Sequence, residues 1–339
     1  LDHADDIRRN GFTIIRNLLS ASEIAEMRQE LERMMLEPGV RVTWADGSMR
    51  HASEALQSSA APSSSVSPVG ATDANSSVQV ASPPNLVRLP VYASRFPSKF
   101  LNSDEGFGTY YQRFRETAEY LLNAPTSGEV VNEYLGGEVF NKMPGCSDVP
   151  PHQDNAWHFL RCSSEDGSGG AVRLFIALDK MDAGNGSLRY VPGSHIGGTR
   201  PHVLDSEDMT QRDLALGIPL LTKEEQEQFN VMGRMSGEFH ITIKKYTCED
   251  EANSVVVELD PGDCVCHFPN TIHRSDPNRA FDPQPGGRSR MGYAITFEAE
   301  GAEVDEEAVR RTSLELIYEE RIRECKRLQM SGEADYAKR

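Results

Sequence analysis

The sequence predicts a mainly β protein with flanking helices, its strands forming an antiparallel barrel or jelly roll. Three observations support this. From about Glu138 onward, short β-branched or alternating runs are separated by turn residues such as Asn185-Gly186 and Pro261-Gly262. Helical periodicity falls instead on segments before and after that region. With 339 residues and 38% apolar content, the chain is large enough to bury a substantial core.

The opening run from Gly11 to Leu19 is apolar and β-branched, as in a strand, and Ser20 with Glu23 then forms a capping-box pattern that starts a helix. Ile24, Met27, Leu31 and Met34 continue it at helical spacing until Pro38-Gly39 stops it. Residues 52–84 are rich in Ser, Ala, Pro, Val and Asn without one Lys or Arg, a composition that cannot build its own core and reads as a long surface excursion. A second helix is expected from Asp104 to Asn123, burying Phe107, Tyr110, Tyr111, Phe114, Ala118 and Leu121. Strands are expected at Ala171 to Leu178, Ser187 to Pro192, Glu238 to Ile243, Ser254 to Leu259, Asp263 to Phe268 and Arg290 to Phe297. Beyond Asp305, the apolar positions Val309, Leu314, Ile317, Ile322 and Leu328 suggest a closing amphipathic helix. No internal repeat is evident.

Charge excludes several classes of function. Lys and Arg number 35 against 52 Asp and Glu, a formal charge of −17 that repels nucleic acid and anionic membranes. A small-molecule substrate is the expected partner. The six cysteines include no CxxC pair, which points away from a disulfide scaffold or structural zinc and toward the cytoplasm or another reducing compartment. No run of eighteen apolar residues occurs; the chain begins at Leu1, which leaves a removed targeting segment open.

The chemistry centres on Pro150-Pro151-His152-Gln153-Asp154. In an extended strand, His152 and Asp154 leave the same face and can meet one metal. An HxD triplet alone is weak, but His273 follows a strand–turn–strand unit that can bring it beside the first two. Two imidazoles and a carboxylate on one face of an octahedral iron(II) ion leave three positions open for a bidentate 2-oxo acid and O₂. Zinc, which favours a tetrahedral site, is the competing metal. His158 would share the face in a continuous strand and point toward substrate or serve as a core histidine. Cys264-Val-Cys266-His267 reads as a buried structural cluster, its thiols on one face and His267 on the other.

These residues resemble the phytanoyl-CoA dioxygenase family of Fe(II)/2-oxoglutarate-dependent oxygenases. The resemblance runs over about residues 138–298: Asn141-Lys-Met-Pro-Gly145, His152-Gln-Asp-Asn155, Ala177-Leu-Asp179, Asn185 through His195, Pro261-Gly-Asp263, His273-Arg-Ser275, Pro277-Asn278 and an arginine before the last strand. It implies a double-stranded β-helix, a jelly-roll or cupin-like barrel, with His152, Asp154 and His273 on the metal at one mouth. It also implies Fe(II), 2-oxoglutarate and O₂ as cofactor and co-substrates. Arg290 would grip the distal carboxylate with its planar fork, and Arg288, two residues earlier, is the alternative. Ser275 and Asn141 resemble the smaller co-substrate contacts, while Trp157 falls where the family has a pocket aromatic, core packing being the other reading. The whole chain, 1–339, is then one catalytic domain: an N-terminal region 1–137, a barrel 138–299 with an added segment 199–253, and a C-terminal helix 300–339. The additions 52–84 and 199–253 could cover the pocket.

The implied reaction is hydroxylation of an aliphatic C–H with release of succinate and CO₂. Desaturation, cyclisation and epoxidation are alternatives reached with the same oxidant. Retention of Asp154 argues against halogenation, which needs a small residue there. A non-oxidative cupin-type metalloenzyme and a non-catalytic binding protein are the rivals; oxygen uptake dependent on 2-oxoglutarate separates them from an oxygenase.

Overall fold

The computed structural model describes residues 2–35, 41–43, 49–51, 87–92, 107–122, 130–131, 136–142, 144–156, 167–228, 241–280, 288–299 and 302. The expected 52–84 excursion lies outside them, as does the expected C-terminal helix 300–339 apart from Ala302.

An unexpected helix comes first, α1 (His3–Asn10), with Asp2 accepting from the Ala4 N–H at its start and Gly11, at φ 82°, ending it. Strand β1 (Phe12–Ile15) and helix α2 (Ala21–Met35) follow as the sequence pattern implies, and Ser20 and Glu23 exchange the two bonds of a capping box. A small pair, β2 (Arg41–Thr43) with β3 (Met49–His51), precedes β4 (Val87–Tyr92) and helix α3 (Phe107–Leu122), whose Phe114, Ala118 and Leu121 are buried.

The barrel strands are β5 (Val130–Val131), β6 (Gly136–Lys142), β7 (Val149–His152), β8 (Ala171–Ala177) and β9 (Leu188–Tyr190). The chain continues through β10 (His202–Leu204), α4 (Glu207–Ala215), α5 (Lys223–Gln228), β11 (Ile241–Ile243) and α6 (Cys248–Asn253). It ends with β12 (Val255–Val256), β13 (Cys264–His267), β14 (His273–Ser275) and β15 (Arg290–Ala299). Among the described residues the larger sheet runs β1-β13-β8-β15-β6-β4, with β5 on the end of β15, and the smaller runs β12-β9-β14-β7. From β6 onward the barrel strands therefore alternate between sheets: β6 large, β7 small, β8 large, β9 and β12 small, β13 large, β14 small, β15 large. That alternation is a double-stranded β-helix, and it carries helices α1 to α3 at its N-terminal side.

Two cores follow from it. One side of the larger sheet packs Leu174, Ile176, Cys264, Cys266, Tyr293 and Phe297 against α2 and α3. Its other side packs Phe140, Phe175, Val265 and Ala294 toward Leu188 and Tyr190 of the smaller sheet, around the barrel interior. The described parts of 199–253 bind the strand that carries His152: Thr242 Oγ1 donates to Pro151 O at 3.1 Å, and the Gln153 N–H donates to His202 Nε2 at 3.1 Å.

The Pro261-Gly262-Asp263 turn ties the N-terminal strand to the barrel. Gly262 sits at φ 96°, where an added Cβ would fall 2.2 Å from Leu19 O. Buried Asp263 accepts from Asn17 N, Arg16 Nη1 and Asp260 N at 2.9, 2.6 and 2.9 Å. Asp263→Ala removes a buried acceptor shared by two part-buried backbone N–H groups and by Arg16, so unfolding free energy should fall by about 1–3 kcal/mol. Urea denaturation measures it; a midpoint unchanged from the parent would refute this role.

Candidate metal centre and co-substrate pocket

Strands β7 and β14 are neighbours in the smaller sheet, and their register sets His273 directly opposite His152. The imidazole centroids are 4.2 Å apart. Each ring is aimed by a carbonyl two residues upstream: His152 Nδ1 donates to Pro150 O at 2.8 Å, and His273 Nδ1 to Thr271 O at 3.0 Å. Donation from Nδ1 leaves the Nε2 lone pairs free and pointing together. Burial, and after it the neighbouring His273, pushes His152 down to about 4; burial does the same to His273. Both rings are thus neutral near pH 7, the form that ligates a metal.

Asp154 arrives by a different route from the one its spacing suggests. Strand β7 ends at His152, and Asp154 opens a one-turn 3₁₀ helix held by Asn155 N–H donating to Pro269 O at 3.0 Å. A turn, rather than strand alternation, swings the carboxylate round to the imidazoles. Its Oδ1 lies 3.6 Å from His152 Nε2 and 3.7 Å from His273 Nε2, and one ligand atom from each of the three residues falls within 4.8 Å of the others. Its Oδ2 accepts from His267 Nε2 at 3.1 Å and lies 3.6 Å from Arg173 Nε. Burial would lift this carboxyl, but Arg173, His273 and His267 outweigh it and hold it well below the usual range.

The three residues line a cavity together with apolar Phe140, Val149, Phe175 and Leu188 and polar residues that include Ser275 and Arg290. Arg290 is 3% exposed, and its Nε and Nη1 have no hydrogen-bond partner among the described residues. Its guanidinium lies over the Phe175 ring, 5.6 Å from the centroid. Burial pushes it down to about 10. A buried, unpaired cation is costly unless an anion meets it. Arg288, by contrast, is half exposed and paired with Asp182 at 2.8 Å. Ser275 lines the cavity and accepts from Lys142 Nζ at 2.8 Å. Asn141 does not line the cavity; its neighbours on β6 do that work, Phe140 in the wall and Lys142 behind Ser275. Trp157 and His158 lie outside the described residues.

Three contributors escaped the sequence reading. His267, read there as a structural histidine, reaches Asp154. Arg173 is a lone charge in the otherwise apolar, fully buried run of β8, and that anomaly was a legible signal for a buried anionic partner. Lys142 is fully buried, and burial, followed by Arg290, pushes it down to about 7.

With this geometry established, comparison with known proteins identifies the class. The family profile described as phytanoyl-CoA dioxygenase (PhyH) matches residues 7–284. The chain belongs to this family, and it is an Fe(II)/2-oxoglutarate-dependent oxygenase. Among solved structures, EvdO2 from Micromonospora carbonacea var. aurantiaca, complexed with 2-oxoglutarate, is 19% identical, with 89% of this chain and 92% of that one covered and a TM-score of 0.52. More distant are SnoK, a non-heme alpha-ketoglutarate-dependent carbocyclase from nogalamycin biosynthesis (16% identity, 91% and 89% covered, TM-score 0.49), and the epimerase SnoN from the same biosynthesis (19%, 87% and 81%, 0.47). No curated protein sequence matches the chain. Membership of this family sets aside the non-oxidative cupin alternative. No helix among the described residues is long and apolar enough to cross a membrane.

The wall beneath Arg290 depends on Gly292, where an added Cβ would fall 2.3 Å from Phe175 Cε1. Gly292→Ala should therefore cost about 1–3 kcal/mol through overpacking. Phe175→Leu in the same chain should recover part of that loss, read by thermal unfolding of the two single variants and the double; strictly additive losses would show that the two sites do not touch energetically.

Proposed function

We propose that His152, Asp154 and His273 hold iron(II), that Arg290 and Ser275 hold the distal carboxylate of 2-oxoglutarate, and that the enzyme hydroxylates an aliphatic C–H of a small molecule. One observation carries the reading. A converging pair of neutral imidazoles and an ionised carboxylate shares a cavity with a buried guanidinium that has two unpaired donor nitrogens. The donor set suits a borderline cation, and the guanidinium suits a carboxylate, so the residues fit both groups.

When bound, the metal and 2-oxoglutarate supply the oxidising chemistry: O₂ is consumed, the co-substrate leaves as succinate and CO₂, and one oxygen atom enters the substrate. The chain's own residues do the positioning. The Pro150 and Thr271 carbonyls fix both imidazole planes. Lys142 donates to Ser275 Oγ, which leaves the serine proton free to donate to a carboxylate beside Arg290. Phe140, Val149 and Leu188 present an apolar wall that keeps water from the reacting carbon and suits an aliphatic substrate. Asn141 has no place in this scheme. Hydroxylation is the simplest outcome of such placement, and the same site could direct desaturation, cyclisation or epoxidation if the substrate sat differently.

Two measurements test the assignment. Alanine at His152, Asp154 or His273 should lower bound iron and abolish 2-oxoglutarate-dependent succinate formation in a folded protein; full activity in His273→Ala would remove the third ligand. Arg290→Ala should raise the apparent KM for 2-oxoglutarate by roughly 30- to several-thousand-fold, the loss of a buried charge-assisted pair worth about 2–5 kcal/mol. Arg288→Ala, at an exposed pair, should change it by less than about threefold. The reverse ranking would move the anchor to Arg288. A metabolite screen scored by succinate release identifies the substrate.

A further inference from the structure

The second oxygen of Asp154 is held by groups that the metal-site reading does not use. His267 and Arg173 stand directly opposite each other on the paired strands β13 and β8. Cross-strand partners of this kind lie side by side, so their nitrogens can converge on one atom. Both reach the same one: Asp154 Oδ2, at 3.1 Å from His267 Nε2 and 3.6 Å from Arg173 Nε. Oδ1 faces the two candidate ligand imidazoles instead.

Behind His267 stands Tyr190, its hydroxyl 3.0 Å from Nδ1. An ionised carboxylate can only accept, so Nε2 carries the proton, and Nδ1 of the neutral ring accepts from the tyrosine. Tyr190 is itself fully buried and fixed, stacked on Phe12 at 4.7 Å and on His273 at 5.5 Å between centroids. The chain Tyr190 to His267 to Asp154 thus crosses from the smaller sheet to the larger and back to the metal centre.

We propose that His267 is a positioning residue which, with Arg173, keeps Asp154 Oδ2 away from the metal, so that aspartate binds through Oδ1 alone. The inference rests on the metal-site reading above. Its chemical purpose is coordination number. A bidentate carboxylate would occupy one of the three positions that 2-oxoglutarate and O₂ require. The hydrogen bond from His267 and the ion pair with Arg173 make that second bond unfavourable, because it would strand the buried His267 N–H and draw the carboxylate off a neighbouring guanidinium. Tyr190 sets the tautomer that makes His267 a donor on this side.

The test uses the full chain loaded with Co(II) in place of iron. It reads Co(II) affinity, the visible Co(II) absorption spectrum and the affinity of the Co(II) protein for 2-oxoglutarate. His267→Leu should weaken Co(II) binding by about 10- to 100-fold, alter the spectrum and weaken 2-oxoglutarate binding. His267→Gln, whose amide can donate to Oδ2, should restore part of each. Tyr190→Phe keeps the stacked ring and loses only the hydroxyl, so it remains informative if His267→Leu does not fold; about 2- to 10-fold weaker Co(II) binding is expected. A wild-type chain whose Co(II) binding survives Asp154→Ala overturns the metal-site reading and this inference with it. A wild-type site that depends on Asp154, together with His267→Leu, or failing that Tyr190→Phe, matching it in all three readouts, overturns the positioning role alone.

Discussion

The site depends on the pairing of β7 with β14. A one-residue slip in an antiparallel pair turns every side chain to the opposite face, so the His152–His273 register must be held by something stronger than two ladder bonds. Strand β7 lies at the edge of the smaller sheet, and the register shifts between His273 and Ser275, opposite Pro150-Pro151. Prolines are tolerated at such a bulged edge because they withhold N–H groups that the ladder does not need there. Their carbonyls are put to use: Pro150 O orients His152, and Pro151 O accepts from Thr242. Thr242 and His202 therefore support the register, since both bind the same short stretch of backbone.

Around that pair the barrel gathers an uncommon amount of buried positive charge. Arg173, Arg274, Arg290 and Lys142 all lie in or directly behind the cavity wall. Two of the four have carboxylate partners, Arg274 in Glu251 and Asp276 and Arg173 in Asp154. Lys142 donates to a serine hydroxyl and a backbone carbonyl, and Arg290 has two idle nitrogens. Unmet charge in a dry site is a reservoir of binding energy for an anion of matching shape. The unmet charge of Arg290 lines the same cavity as His152, Asp154 and His273, where an entering anion can meet it.

Much of this arrangement was legible in the sequence. The strand pattern after Glu138 and the ordered motifs pointed to the barrel, and His152, Asp154 and His273 were singled out before their convergence was visible. The reasons for convergence were less legible. Strand alternation was a sound expectation for His152 and Asp154, yet the strand ends at His152 and the Asn155 to Pro269 bond holds a turn there instead, and tertiary bonds of that kind leave no local periodicity. Helix α1 was missed although Asp2, Gly11 and a basic last turn at Arg8 and Arg9 mark both of its ends. Motif resemblance pointed to Asn141 and gave no reason to consider Lys142, because resemblance identifies a neighbourhood, whereas the facing of a side chain depends on a register that resemblance does not carry.

His267 shows the same limit more sharply. Strand alternation correctly separated it from Cys264 and Cys266, whose sulfurs turn into the core under α2 and α3. The face opposite the helical core is the barrel interior, so a histidine there is buried among other polar groups and must find partners. Those partners, Tyr190 on β9 and Asp154 in the turn after β7, lie 77 and 113 residues away along the chain. No window of sequence contains such an arrangement. What the sequence does contain is the cost: a histidine and an arginine, His267 and Arg173, placed in two apolar strands that pair directly, where each would be destabilising alone. Two unexplained polar residues at matching positions on adjacent buried strands are therefore better read as one feature than as two, because a single carboxylate can satisfy both.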